Sequence, residues 1–194
     1  MFRFPLFILL VLLLACSEGS KKESIPSKDN SKQTVTTPFD KELKLKARFN
    51  SFDTTIEVLF WDTTDSISEI QKKNYEGFIS KQDIFVPEIL KKIFEFYKRS
   101  YKDYRNGWKM GGDITEVELE KNIPKPTTPE NLKHFIVPAF VHIQNKKHCK
   151  EGTFGIEFDC TWDIEYGLGV KIENWKVVEV GVAETSYFFN GDDK

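Results

Sequence analysis

Residues 153–162 read Thr-Phe-Gly-Ile-Glu-Phe-Asp-Cys-Thr-Trp, and their alternation decides the fold. Phe154, Ile156, Phe158, Cys160 and Trp162 fall on one side, while Thr153, Gly155, Glu157, Asp159 and Thr161 fall on the other. A period of two this regular means a strand with one face on a core. It also sets Cys160 inward as a small apolar residue. Moving toward the carboxy terminus, residues 163–167 form a turn in which Gly167 can take positive φ. Leu168, Val170 and Ile172 then alternate again. Glu173-Asn174 reads as a second turn and residues 175–182 as a third strand, with Val178, Val180 and Val182 on one face. The three strands make an antiparallel meander.

Moving toward the amino terminus, a fourth strand is expected near residues 139–144, joined to the meander by the loop 145–152. Before it, Thr128-Pro129-Glu130 caps a short helix reaching about His134. A longer helix carries Ile89, Leu90, Ile93, Phe94, Tyr97, Tyr101 and Tyr104 at helical spacing. Pro87 suits its first turn, and Asn106-Gly107 suits its end. The stretch 107–112 that follows reads as a flexible connector. Residues 67–80 predict a further helix with Ile67, Ile70, Tyr75, Phe78 and Ile79 on one side. Residues 43–49 and 55–61 read as a hairpin turning at 50–54. The order β-β-α-α-loop-α-β-β-β-β predicts an α+β domain, with helices on one face of a mostly antiparallel sheet.

The turn carries a motif: Cys160-x-Trp162-Asp163-x-Glu165-Tyr166-Gly167-Leu168-x-Val170. It resembles an uncharacterised bacterial domain family of unknown function whose hairpin reads C-x-W-(D/E)-x-E-H-G-L-x-V. The helix containing Glu69 to Tyr75, followed by a second helix ending in aromatics, is also similar to that family. The resemblance covers roughly residues 39–187 and implies the fold, with no activity attached. This chain departs at Tyr166, where the family has His. A tyrosine with a pKa near 10 cannot replace a histidine proton shuttle at neutral pH.

Read for chemistry alone, Asp163 and Glu165 form a carboxylate pair at an exposed turn beside Trp162. Such residues commonly bond turn amides and hold a hairpin's register, and Trp162 closes the apolar face. His134, His142, His148 and Cys149 do not follow a standard zinc-ligand spacing, so no metal site is expected. The glycines of 107–112 lack the Gly-Lys-Ser/Thr of a phosphate loop. No serine stands in a nucleophile-elbow pattern. No catalytic residue or cofactor is therefore assigned. The aromatic stripe Phe94, Tyr97, Tyr101, Tyr104 reads as core, with hydroxyls near its end able to reach the surface.

The amino terminus reads Phe-Arg-Phe-Pro-Leu-Phe-Ile-Leu-Leu-Val-Leu-Leu-Leu over residues 2–14. One charge at Arg3 precedes an apolar run of about eleven residues, within the span of a signal h-region and short of the ~20 that cross a bilayer. It ends in Leu13-Leu14-Ala15-Cys16, which resembles the lipobox of bacterial lipoproteins. That resemblance implies cleavage after residue 15, a thioether-linked diacylglycerol on Cys16 and an acylated amine. Two or more chains anchor stably, at about 0.8 kcal/mol per buried methylene. Ser17 does not match the Asp-type inner-membrane retention signal, which favours the outer membrane. Residues 17–38 are rich in Ser, Lys and Thr and cannot bury enough surface to fold. They read as a tether with a reach of roughly 25 Å.

Three parts follow: a signal at 1–15, lipidated Cys16 with its tether at 16–38, and one domain at 39–194. The chain's formal net charge is −2, with 28 basic and 30 acidic residues. It shows no basic stripe of the kind nucleic acid requires. Export permits disulfides, yet an extended run from 153 to 160 covers about 23 Å. Doubling back to Cys149 recovers at most about 14 Å. The gap of about 9 Å exceeds the ~7 Å limit for a bridge. An anchor, a tether and a domain without a catalytic set point to a non-enzymatic module that binds an envelope protein, an immunity-type role among the forms this could take. The competing expectation is an envelope hydrolase or small-ligand binder using Asp163, Glu165 and Tyr166.

Overall fold

The computed structural model describes residues 43–63, 66–145, 149–187 and 189. The signal, Cys16, the tether and His148 lie outside the described residues. Those described belong to one compact unit, Thr36–Lys194. The fold is α+β. Its single sheet runs in the order β1 (Leu43–Phe49), β2 (Thr54–Phe60), β3 (Ile136–Ile143), β4 (Phe154–Cys160), β5 (Leu168–Glu173) and β6 (Lys176–Gly181). Neighbours are antiparallel except β2 and β3, which pair in parallel. Among the described residues no helix is long and apolar enough to cross a membrane.

Register explains the core. Val58, Val141, Ile156, Val170 and Val180 are successive cross-strand partners, forming one apolar row across five strands. Phe154, Phe158, Cys160, Leu168 and Ile172 extend this face, and all are buried. Burying such an aliphatic or aromatic side chain contributes roughly 1.5–3 kcal/mol. The alternation of residues 153–162 therefore places its apolar set inward as expected. Cys149 and Cys160 are separate buried thiols with no bridge between them.

Helices α1 (Glu69–Ser80), α2 (Gln82–Met110), α3 (Glu116–Asn122) and α4 (Pro129–Leu132) complete the domain. Ser68 caps α1 in a capping box with Gln71, two residues later than the start expected. The expected face of α1 turns inward only in part: Phe78 is buried and Ile67 and Tyr75 pack on the core, but polar residues are buried beside them. Gln71, Asn74, Gly77 and Phe78 are buried, whereas Ile79 is exposed. The reason is hydrogen bonding at strand ends. Gln71 Nε2 donates to the Trp61 carbonyl at 2.8 Å. Asn74 Nδ2 donates to the carbonyls of Lys150 (3.2 Å) and Thr153 (2.9 Å), and its Oδ1 accepts from Gly152 N at 2.7 Å. Buried carbonyls without partners would cost about 1–3 kcal/mol each, which outweighs the apolar preference of Ile79.

Helix α2 overruns both expected ends. Pro87 lies inside it rather than in the first turn. Gln82 sets the start, because its Oε1 accepts from Asn50 N at 2.8 Å and its Nε2 donates to the Arg48 carbonyl at 2.7 Å. Asn106 and Gly107 are helical, and α2 ends at Met110. Trp108 holds this last turn by donating from Nε1 to the Trp162 carbonyl at 3.1 Å. The stretch expected to be a connector is thus helical through Met110. Helix α3 falls where a loop was expected. Its signal is the capping box of Thr115 and Glu118. Arg105 clamps it to α2 through Glu116, Glu120 (2.6 Å) and the Ile123 carbonyl (3.3 Å).

The last strand also departs from the simple alternation. Lys171 pairs with Glu179 while Ile172 pairs with Val177, so Val178 is an extra residue in a bulge. Val177 is buried and Val180 packs against the core, while Val178 and Val182 are exposed. The preceding turn is Asn174-Trp175, both at positive φ (52° and 62°), not Glu173-Asn174.

Candidate functional site

The turn between β4 and β5 lies at one end of the sheet, and its base is fixed by side chains. Trp162 is 1% exposed, with its ring centroid 4.4 Å from that of Tyr97. Its ring belongs to the core, at the end of the apolar face of β4. Asp163 holds the loop: its Oδ1 accepts from Tyr166 N at 3.1 Å, and its carbonyl accepts from Gly167 N at 3.0 Å. Gly167 has φ 60°, as the turn requires. The Asp163 carboxylate also acts electrostatically on the Tyr104 hydroxyl. Burial first, and then this carboxylate, push the Tyr104 hydroxyl up to about 12.

Outside this base the turn is open. Glu165 is exposed, and Ile164 and Tyr166 are 80% and 60% exposed. A concavity of about 300 Å³ opens beside them, with Glu157, Asp159, Asp163 and Glu165 among its walls and Ala183 opposite. Among the described residues, four carboxylates and no basic side chain line it. Cys160 lies at its inner edge, and burial pushes that thiol up to about 12, so it is not a nucleophile at neutral pH.

Of the residues singled out in sequence, Asp163, Glu165 and Tyr166 share this concavity. Glu157 and Asp159 also belong to it and went unassigned, although both lie on the outward face of the strand first read. The signal was present in the alternation itself. Ala183 could not have been found, since a short 3-10 turn, Ala183–Ser186, brings it back across the sheet.

Behind Glu157 stands His142, one of the three histidines whose spacing matched no zinc-ligand pattern. It is buried on the outer sheet face, accepts at Nδ1 from Trp61 Nε1 (3.1 Å), and meets Glu157 Oε2 with Nε2 at 2.9 Å. No group of three or more His, Cys, Asp or Glu side chains able to hold a metal occurs among the described residues. Tyr97 is fully buried, and its hydroxyl donates to the Pro124 carbonyl at 2.7 Å. That end of the aromatic stripe is therefore core.

Residues 32–188 match the family described as a domain of unknown function, DUF6985. The chain belongs to DUF6985. The match spans every described strand and helix, so the sheet, its helices and the β4–β5 concavity all lie within the DUF6985 region. No curated protein and no solved structure matches this DUF6985 chain.

Proposed function

We propose that this DUF6985 protein is a lipid-anchored envelope protein whose domain binds a partner protein through the β4–β5 turn. The Leu13-Leu14-Ala15-Cys16 sequence supports the anchor, with acyl chains on Cys16 and the outer membrane as the favoured site. The binding role rests on one observation: exposed Ile164 and Tyr166 rim a concavity walled by four carboxylates. Paired apolar and charged groups of this kind suit a protein segment bearing Lys or Arg beside apolar residues. A hydrolase or small-ligand reading of the same turn has less support. Asp163 is committed to Tyr166 N, which leaves Glu165 and Tyr166 without a positioned third group.

Two measurements test this. Cells fed radioactive palmitate should label the protein, and Cys16→Ser should abolish the label. A photo-crosslinking residue at position 166 should give one discrete adduct in cells, and the same residue at exposed Glu130 should give none. Reversing charge with Glu165→Lys and Asp159→Lys should remove that adduct. An adduct indifferent to both reversals would overturn the binding surface while leaving the anchor intact.

A further inference from the structure

The outer face of the sheet carries two cross-strand rows with unusual contents. One runs Glu57, Phe140, Glu157, Gly169, Gly181, and the next runs Leu59, His142, Gly155, Lys171, Glu179. The glycines leave a gutter, and the segment after β6 lies in it. A Cβ on Gly155 would stand 1.6 Å from the Ser186 carbonyl oxygen, and one on Gly169 would stand 2.4 Å from that of Val182. This strap is tied by Ala183 N to the Tyr166 carbonyl (2.9 Å) and by Gln144 Nε2 to the Tyr187 carbonyl (2.8 Å). Tyr187 ends it, with its ring 5.3 Å from His142 and stacked at 6.1 Å on Trp61.

The protonation state of His142 is fixed by its partners. An indole N–H only donates, so Nδ1 of His142 must be the bare nitrogen. The ring proton is then on Nε2, directed at Glu157. We infer that His142 is a proton-operated latch for the strap. A second proton can be accepted only at Nδ1. There it removes the acceptor of the Trp61 indole and sets two N–H groups face to face across 3.1 Å. The Glu157 bond survives and gains charge assistance, so β3 and β4 stay paired. The indole must move, and Tyr187, stacked on that indole and tilted against His142, moves with it. Of the charged and titratable groups around this position, Glu157 on β4 and Tyr187 on the strap meet His142, Lys171 follows on β5 across Gly155, Glu57 lies in the neighbouring row on β2, and Glu184 acts on Tyr187. Lys171 bonds Glu179 at 3.3 Å. Acidification therefore releases the strap's end without opening the sheet. This device stands independently of the binding role proposed above.

The test uses the full-length protein in detergent micelles, with ¹⁵N-labelled histidine. At pH 8 the His142 ring, assigned by its loss in His142→Gln, should show a bare Nδ1 and a protonated Nε2. Between pH 8 and pH 5, hydrogen exchange over residues 182–187, corrected for intrinsic rates, should lose protection by about an order of magnitude, the scale of one lost hydrogen bond. Protection of α1 should stay constant. Trp61→Phe removes the opposing N–H and should abolish the pH dependence, so the latch remains testable even if His142→Gln does not fold. A proton on Nδ1 at pH 8, equal strap protection at both pH values, or an unchanged dependence in Trp61→Phe would each overturn the inference.

Discussion

The indole of Trp175 occupies the notch that Gly77 leaves in α1, where an added Cβ would lie 1.7 Å from Trp175 Cη2. The ring is hemmed in on its other sides. Gly152 packs against its backbone and Nε1, and Lys81 Nζ sits 3.8 Å from the ring centroid. This contact accounts for a tryptophan at positive φ in the β5–β6 turn: the ring is held by α1, and the backbone follows.

Gly77→Ala should therefore destabilise the domain by about 1–3 kcal/mol, the usual cost of overpacking, despite the gain in helix propensity. Gly107→Ala is the control, because nothing lies within 4 Å of its added Cβ. It should stabilise by about 0.5–1 kcal/mol. Urea denaturation of the two variants should move the midpoint in opposite directions.

Asn74 joins α1 to the loop before β4 through three hydrogen bonds. Asn74→Ala leaves the Gly152 N–H and the Thr153 carbonyl unmatched, while the Lys150 carbonyl keeps Thr153 N, and about 2–3 kcal/mol of stability should be lost. Asn74→Asp keeps the acceptor for Gly152 N but turns a carboxylate toward two carbonyls. Its destabilisation at neutral pH should shrink on acidification, as seen by thermal melts at pH 4 and pH 7.

Burial drives the pH response at the alkaline end. Cys160 is raised to about 12 in the fold, against about 8.5 for a free thiol. The folded state therefore keeps a proton that the unfolded chain loses. The associated stability is fully present below about pH 8.5 and declines as pH rises toward 12. Tyr104, also raised to about 12, acts in the same direction above pH 10. Iodoacetamide at pH 8 should leave Cys160 unmodified in native protein and label it in urea, as read by peptide mass mapping.

Arg105 should govern the docking of α3. It reaches Glu116, Glu120, the Tyr101 hydroxyl and the Ile123 carbonyl from one guanidinium. Arg105→Ala should speed exchange of the α3 amides several-fold while leaving the β4 amides unchanged, measured by hydrogen–deuterium exchange.

Legibility in the sequence followed the locality of the cause. The β4 alternation from Phe154 to Trp162 and the cap at Thr128 rest on neighbouring residues, and both were readable. On α1, Phe78, Tyr75 and Ile67 were readable as core-facing, but the burial of Gln71 and Asn74 was not, because they answer carbonyls of Trp61, Lys150 and Thr153, whose positions depend on the sheet. The bulge at Val178 was hidden for a similar reason, since a string of valines alternates equally well in either register. At the candidate site, the turn residues Asp163, Glu165 and Tyr166 were visible. The strap that closes the concavity with Ala183 was not, because glycines at 155 and 169 disclose a close approach without naming what approaches.

The parallel pairing of β2 with β3 carries a consequence for how the chain reaches this state. Trp61 and His142, bonded at the end of that pairing, are 81 positions apart, and all four helices intervene. The first hairpin thus emerges from synthesis long before its neighbour and must wait with β2's outer edge bare. Loop closure of that length slows folding. Until residues 136–143 arrive, that bare edge is open to pairing with the wrong strand.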